Sequence, residues 1–346
     1  MSLLTLLATA LVVSAAPVVE KRQAPSGVPD YVVKYAPVVY LFSGEAYFPA
    51  DIGAQVTNTA PAINRTLVQN PPAVDLSNLD QLNNIPNSAH GANIYLTSNQ
   101  DPTTSPRPQY LYGTKPDPTG KTPSAISCAI ITVSHTNTTL DAFFFYFYAF
   151  NFGGVYFTLE VGDHIGDWEH NMVRFENGTP SQIWYSQHSG GQAFDYAATE
   201  KHDSVRPVTY SANGTHANYA TPGTHDHTIP GVNLPAGPIE DHTDAGFLWD
   251  PTLSAYFYSF DPASSSFTPY GDAPAPGWLN FNGKWGDDKI PESDSRQDCT
   301  FGIDALCQYQ AGPTGPKDKD LNRTNVCPDG KDCPVYPVLL PRSDVA

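Results

Sequence analysis

Short apolar runs divided by turn residues dominate the pattern of this chain. Pro37-Val-Val-Tyr-Leu-Phe42, Ala129 to Ser134, Val205-Arg-Pro-Val-Thr-Tyr210, Ala255 to Phe260 and Phe267 to Tyr270 are rich in β-branched or aromatic side chains, which predicts strands. The last two predict edge strands. Leu140-Asp-Ala-Phe-Phe-Phe-Tyr-Phe-Tyr-Ala-Phe150 is aromatic at odd and even positions alike, so an extended backbone would be apolar on both faces. That predicts a central strand buried between two layers. Ala92 to Thr97 and Gln109 to Tyr112 predict two further strands, and Asp75 to Leu82 one helical turn. Ala193 to His202 reads as helical or irregular. Residues 23–36 read as an extended lead-in that becomes structured at Tyr31-Val-Val-Lys-Tyr35. The prolines of Asp101 to Pro118 break regular pairing and predict a surface loop. The fold class is mainly β, with short helices and long loops.

Composition supports that class. With 33 Pro and 26 Gly beside 19 Tyr and 17 Phe, short strands joined by turns are favoured over long helices. A 346-residue chain with 40% hydrophobic content can build one large core and could just accommodate two domains. No repeat or compositional boundary divides it, so one domain spanning residues 30–340 is expected. The formal charge of −17 argues against binding nucleic acid or anionic lipid through bulk electrostatics, leaving neutral or cation-bridged ligands.

The amino terminus carries an apolar run, residues 3–13, too short to span a bilayer and followed by Ser14-Ala15-Ala16. Residues 1–16 read as a signal peptide, and 17–22 as a short propeptide ending at the dibasic Lys21-Arg22. No second segment is long and apolar enough for a transmembrane span. Asn64, Asn137, Asn177, Asn213 and Asn322 begin glycosylation sequons. The expected destination is therefore outside the cell or the vacuolar lumen. Cys299, Cys307, Cys327 and Cys333 can form two disulfides in any of three pairings, which leaves Cys128 as a buried thiol.

Candidate chemistry concentrates in Gly162-Asp-His-Ile-Gly-Asp-Trp-Glu-His170, where three carboxylates and two imidazoles share nine residues. Carboxylates this close repel one another unless they share a cation, a proton or basic partners. On a strand, Asp167 and Glu169 project to one face and Trp168 and His170 to the other. Asn177-Gly178 is a hairpin signal, and a two-residue loop there sets Glu176 facing Thr179, Ser186 opposite Glu169 and His188 opposite Asp167. A slip of one residue in register would undo that set. His164, Asp167, Glu169 and His188 then make a mixed nitrogen and oxygen site for Mn, Zn or Fe, or for a water-rich Mg or Ca.

Eight of the ten histidines fall between residues 164 and 242, which places one site in this half of the chain. Asp163, His170, His216, His225, His227, Asp241, His242 and Asp244 are further candidates for ligand binding. Two plainer alternatives stand beside the cation: a polar network salt-bridged by Arg174 and Arg206, and a metal-dependent secreted hydrolase acting on a glycan or phosphate ester. No Gly-x-Ser-x-Gly elbow, His-Glu-x-x-His helix or phosphate loop is present.

Several longer motifs carry a resemblance. Gly166-Asp-Trp-Glu-His170, Trp184-Tyr-Ser-Gln-His-Ser-Gly-Gly191, the stretch from Arg206 to Gly223, Asp241-His-Thr-Asp244 and Trp285-Gly-Asp287 are similar to the fungal vacuolar protein sorting-associated protein 62 family, across residues 30–340. The resemblance implies a role in protein transport to the vacuole. The Asp-Trp-Glu core also resembles necrosis-inducing toxin-like proteins, in which a His, an Asp and a Glu bind a divalent cation used to recognise sphingolipid sugar heads. That likeness implies His164, Asp167 and Glu169 as ligands, with His188 in a matching downstream motif, and a glycan or glycolipid head group as partner. It further implies a β-sandwich with peripheral helices. Gly166 stands where the toxin motif has a second His, and no matching upstream acidic ligand is evident.

Overall fold

The computed structural model describes residues 23–156, 158–226, 239–299, 303–328 and 332–339. Residues 1–22, read above as a signal peptide and propeptide, and His227 lie outside them. The protein is mainly β, a sandwich of a large sheet on a smaller one with short helices and long loops at the periphery.

The large sheet has eight strands among the described residues, in the order Ser266–Tyr270, Ala255–Asp261, Cys128–Ser134, Thr139–Asn151, His164–Glu176, Thr179–Gln187, Gly190–Asp195 and Val335–Tyr336. The aromatic Thr139–Asn151 strand lies near its middle and is buried at nearly every position. One face sets Phe143, Phe145 and Phe147 with Trp168, Trp278 and Trp285; the other sets Phe144, Tyr146 and Tyr148 with Val39, Leu41 and Trp249. Both faces are dry because each has its own cover. Loops and short helices close the first, and the smaller sheet closes the second. Each such ring contributes about 1.5 to 3 kcal/mol by leaving water, which explains why this strand carries no alternation.

The smaller sheet orders Lys201–His202, Arg206–Ser211, Val38–Leu41 and Phe247–Trp249, with Asn218–Tyr219 added to Arg206–Ser211. A buried ion pair ties its parts together. Arg206 gives two hydrogen bonds to Asp250, at 2.6 and 2.7 Å, and two more to the carbonyls of Ala36 and Pro37.

Several local expectations change. Gln109–Tyr112 is a 3-10 turn, since Pro108 precedes it, Leu111 is buried, and Gly113 has φ +63° where a Cβ would lie 1.8 Å from the Phe48 carbonyl. Ala255–Asp261 is an inner strand paired in parallel with Cys128–Ser134, so of the two expected edge strands Ser266–Tyr270 alone lies at an edge. Gly190–Asp195 is a strand, followed by a 3-10 turn. Tyr31 to Lys34 belongs to a helix, Asp30–Lys34, and a second helix, Ile52–Thr57, is capped by Asp51 accepting the Ala54 N–H. The disulfides are Cys299–Cys307 and Cys327–Cys333, with Cys128 a buried thiol.

The hairpin at Asn177-Gly178 forms with Glu176 facing Thr179, but the predicted register does not persist. A bulge between Pro180 and Gln182 shifts the pairing by one, so Tyr185 faces Asn171 and the expected oppositions of Ser186 to Glu169 and His188 to Asp167 are lost. Proline cannot donate to the ladder, and a bulge absorbs the missing bond.

Candidate functional site

A cleft of about 310 Å³ opens where the His164–Glu176 strand begins, and His164, Asp167, Glu169 and His188 all line it. The strand's alternation holds: Val173 and Phe175, in phase with Asp167 and Glu169, pack toward the smaller sheet, whereas Trp168 and Met172 pack into the opposite core. Although the bulge removes His188 from the strand pair, it still reaches the cleft. Its residue sits just past the Thr179–Gln187 strand with φ +53°, in the turn leading to Gly190–Asp195.

Each of the four is held from behind. His164 Nδ1 donates to the Gly166 carbonyl at 2.8 Å, which fixes the tautomer with the lone pair on Nε2. Gly166 has φ +67° and stands against the Trp285 carbonyl, 2.2 Å from where a Cβ would be, so no other residue fits without displacement. Asp167 Oδ2 lies 3.0 Å from His216 Nδ1. His216 is fully buried, stacks on Tyr148 at 3.6 Å, and has Nε2 3.0 Å from the Tyr47 carbonyl. Ser186 donates its hydroxyl to Glu169 Oε2 and accepts the His170 N–H at 2.9 Å. His188 Nε2 lies 2.7 Å from Asp241 Oδ2, and Asp241 also accepts hydroxyls from Thr215 and Tyr219, both at 2.7 Å.

The titrations follow from these partners. Burial pushes the Asp167 carboxyl up, but His216, with His164 and Lys319 beyond it, wins and holds it below the ordinary value. Burial and the Asp167 charge push Glu169 up to about 8, against Lys319 and Ser186. Burial lowers His164, which Asp167 only partly offsets. His188 is raised, because the Asp241 carboxylate outweighs the burial that would lower it. At neutral pH the cleft thus combines one carboxylate, one carboxylic acid, one neutral imidazole and one imidazole, His188, shifted toward its cation by Asp241.

The other candidates divide. Asp241 and His216 support the cleft as just described. Asp163 is buried against Arg107 Nη2 at 2.9 Å and the Gly153 N–H at 3.0 Å; burial and its neighbour Glu160 push it up to about 9 despite Arg107. His170 faces the opposite core, its Nε2 2.8 Å from Arg323, its ring near Phe145. His225 stacks on Tyr219 and bonds Thr221 and Thr243, so it supports the fold. His242 is exposed beside Thr224, and Asp244 accepts the backbone and hydroxyl of Ser43. Arg174 pairs with Asp141 and Arg206 with Asp250, so neither neutralises the acid pair.

Two charged groups carried no sequence signal. Glu45 accepts the amides of Ala46, Tyr47 and Gly214 and lies 3.9 Å from His216. Lys319, just past the Pro316–Asp318 turn, lines the same cleft as the acids. Both come from segments more than a hundred residues away from the strand they serve.

The donor set suits a divalent cation in chemistry but does not form a closed cage. Among the described residues, the one trio of His, Cys, Asp or Glu donor atoms within 4.8 Å of one another is Glu292 with Cys299 and Cys307, and those cysteines are bonded together. No three donor atoms of His164, Asp167, Glu169 and His188 lie that close to one another.

The chain is similar to two proteins of Saccharomyces cerevisiae. It is 36% identical over 336 residues to the putative vacuolar protein sorting-associated protein TDA6, covering 88% of this chain and 69% of that one. It is 35% identical over 326 residues to vacuolar protein sorting-associated protein 62, covering 87% and 68%. Among solved structures, NLPPya in complex with mannosamine shares 12% identity at a TM-score of 0.32, covering 76% of this chain and 91% of that one. Necrosis and Ethylene inducing Protein 2, from the causal agent of witches' broom disease of cocoa, shares 11% at 0.29, covering 57% and 71%. Residues 119–300 match the family described as vacuolar protein sorting-associated protein 62. With that match and those two relatives, the chain belongs to the vacuolar protein sorting-associated protein 62 family.

Proposed function

We propose that this chain is a secretory-pathway glycoprotein, acting outside the cell or in the vacuolar lumen as a single domain over residues 30–340. It serves protein transport to the vacuole by binding a glycan or glycolipid head group through a divalent cation, Ca, Mg, Mn or Zn, at His164, Asp167, Glu169 and His188. The observation that carries the reading is that all four line one cleft while a buried partner holds an outer atom of each: the Gly166 carbonyl, His216, Ser186 and Asp241. Metal-binding imidazoles and carboxylates are oriented in this way by an outer layer of hydrogen bonds. The cation would supply a point of attachment for vicinal hydroxyls. The chain's own part is to hold Asp167 ionised and His164 in the Nε2 lone-pair tautomer.

Two disulfides are in keeping with an oxidising compartment, and no helix among the described residues is long and apolar enough to cross a membrane. The runner-up, a metal-dependent hydrolase, draws on Glu169, whose carboxyl near 8 retains a proton for a leaving group at neutral pH. Elemental analysis of purified protein, with glycan-array binding before and after chelation, tests the first reading. Metal content unchanged by combined substitution of His164, Asp167 and Glu169 ends both. Product released from a bound glycan, and lost in Glu169→Gln with binding retained, selects the hydrolase.

A further inference from the structure

Lys319 adds a cationic donor to a cleft whose other titratable side chains are acids and imidazoles. It lines the same space as Asp167 and Glu169. Its backbone is fixed on both sides: its N–H donates to the Pro316 carbonyl at 3.1 Å, and its carbonyl accepts from Arg323 Nη2 at 2.9 Å. Arg323 is itself buried, over Phe143, with the same nitrogen 2.8 Å from His170. The buried His170 on the far face thereby steadies the segment that delivers Lys319 to the near one. The lysine main chain is set and its ammonium is left to the cleft, where it enters no hydrogen bond or ion pair among the described residues.

A half-buried ammonium facing two carboxyls, in a chain of net charge −17, would be expected to close an ion pair with them. Here it lines the same cleft as both acids and forms no ion pair with either. With a dication held by the acids, the Lys319 ammonium would share the cleft with a second positive charge. An anionic group bound in the cleft would offset that repulsion and take a charge-assisted hydrogen bond from the ammonium. The cleft volume, about 310 Å³, is at the small end for ligand pockets and admits one sugar unit with its substituent rather than a long chain.

We propose that Lys319 makes this cleft selective for a sugar bearing an oxyanion, such as a phosphate or carboxylate, its ammonium taking the anionic group while the acidic wall takes the hydroxyls. The proposal rests on the cation reading above only for the hydroxyl half.

Titration calorimetry of the folded protein, loaded with Mg or Ca, against glucose, glucose 6-phosphate, glucuronate and inorganic phosphate tests it. One charge-assisted hydrogen bond predicts that wild type prefers glucose 6-phosphate over glucose by about tenfold to a hundredfold, a preference that shrinks as salt rises. Lys319→Met should bring the two sugars to near equality, with glucose affinity and metal content retained, and Lys319→Arg should keep the preference. Equal affinities in wild type, loss of both sugars together in Lys319→Met, or inorganic phosphate binding as tightly as glucose 6-phosphate overturns it. Should Lys319→Met not fold, the wild-type preference and its salt dependence decide. A wild type without metal that still prefers glucose 6-phosphate through Lys319 removes the cation reading and leaves this one standing.

Discussion

Changing Glu169 to Gln removes a carboxyl that the fold keeps protonated at neutral pH while preserving its shape and its bond from Ser186. In the folded chain burial and the Asp167 charge push Glu169 up to about 8, from an ordinary 4.5. Between those values the unfolded chain has released the proton and the folded chain has kept it, so wild-type stability falls as pH rises through the window. At about 1.4 kcal/mol for each tenfold step in the ionisation constant, the burden is near zero at pH 4.5 and on the order of 3 kcal/mol by pH 7. Gln carries none of it. Urea unfolding of chelator-treated protein should therefore find Glu169→Gln about as stable as wild type at pH 4.5 and more stable by about 2 to 3 kcal/mol at pH 7. Addition of a divalent cation should raise wild type and leave the variant where it was, because only wild type can release the proton to make a ligand. A chelated wild type whose stability is flat from pH 5 to 8, or a variant weaker than wild type at pH 7, would refute the reasoning.

Asp241→Asn should cost about 2 to 3 kcal/mol, since it disturbs the bonds from His188, Thr215 and Tyr219. His188 is raised, so the stability it lends is complete below pH 6.5 and fades as pH climbs past its folded value. The loss in urea should accordingly be larger at pH 6 than at pH 8, and imidazole titration by NMR should show His188 lowered. Gly166→Ala forces a Cβ against the Trp285 carbonyl at a left-handed φ, and should lower the unfolding midpoint and abolish metal uptake together. Arg206→Met leaves Asp250 buried without its guanidinium and should cost about 3 to 5 kcal/mol, much of it recovered in the double change with Asp250→Leu. Expressed through a eukaryotic secretory route, the protein should carry glycans at the exposed Asn137 and Asn177. Peptide mapping should find Asn213 bare, because the hydroxyl of its Thr215 is buried on Asp241.

Which parts were legible beforehand follows from how far each feature depends on its neighbours in sequence. The buried Leu140 to Phe150 run, the hairpin at Asn177-Gly178 and the shared face of Asp167 and Glu169 are local properties: side-chain alternation and a two-residue turn suffice to encode them. The four candidate ligands could accordingly be named from one strand and its return. Their arrangement could not be. The bulge at Pro180 to Gln182 moved His188 off the strand pair, yet Asp241, arriving from more than fifty residues away, holds it at the cleft. Likewise Gln109 to Tyr112 has a strand's composition, but a buried Leu111 and the close approach of Gly113 to Phe48 coil it into a turn.

Composition and spacing alone therefore established a mainly β chain with an acidic, histidine-rich segment on a strand beside its core. Tertiary structure alone decided that His216 holds Asp167, that burial and Asp167 raise Glu169, and that Lys319 lines the cleft with both. The physical reason is that alternation is written into successive residues, whereas a buried carboxyl's charge depends on which groups distant segments place around it.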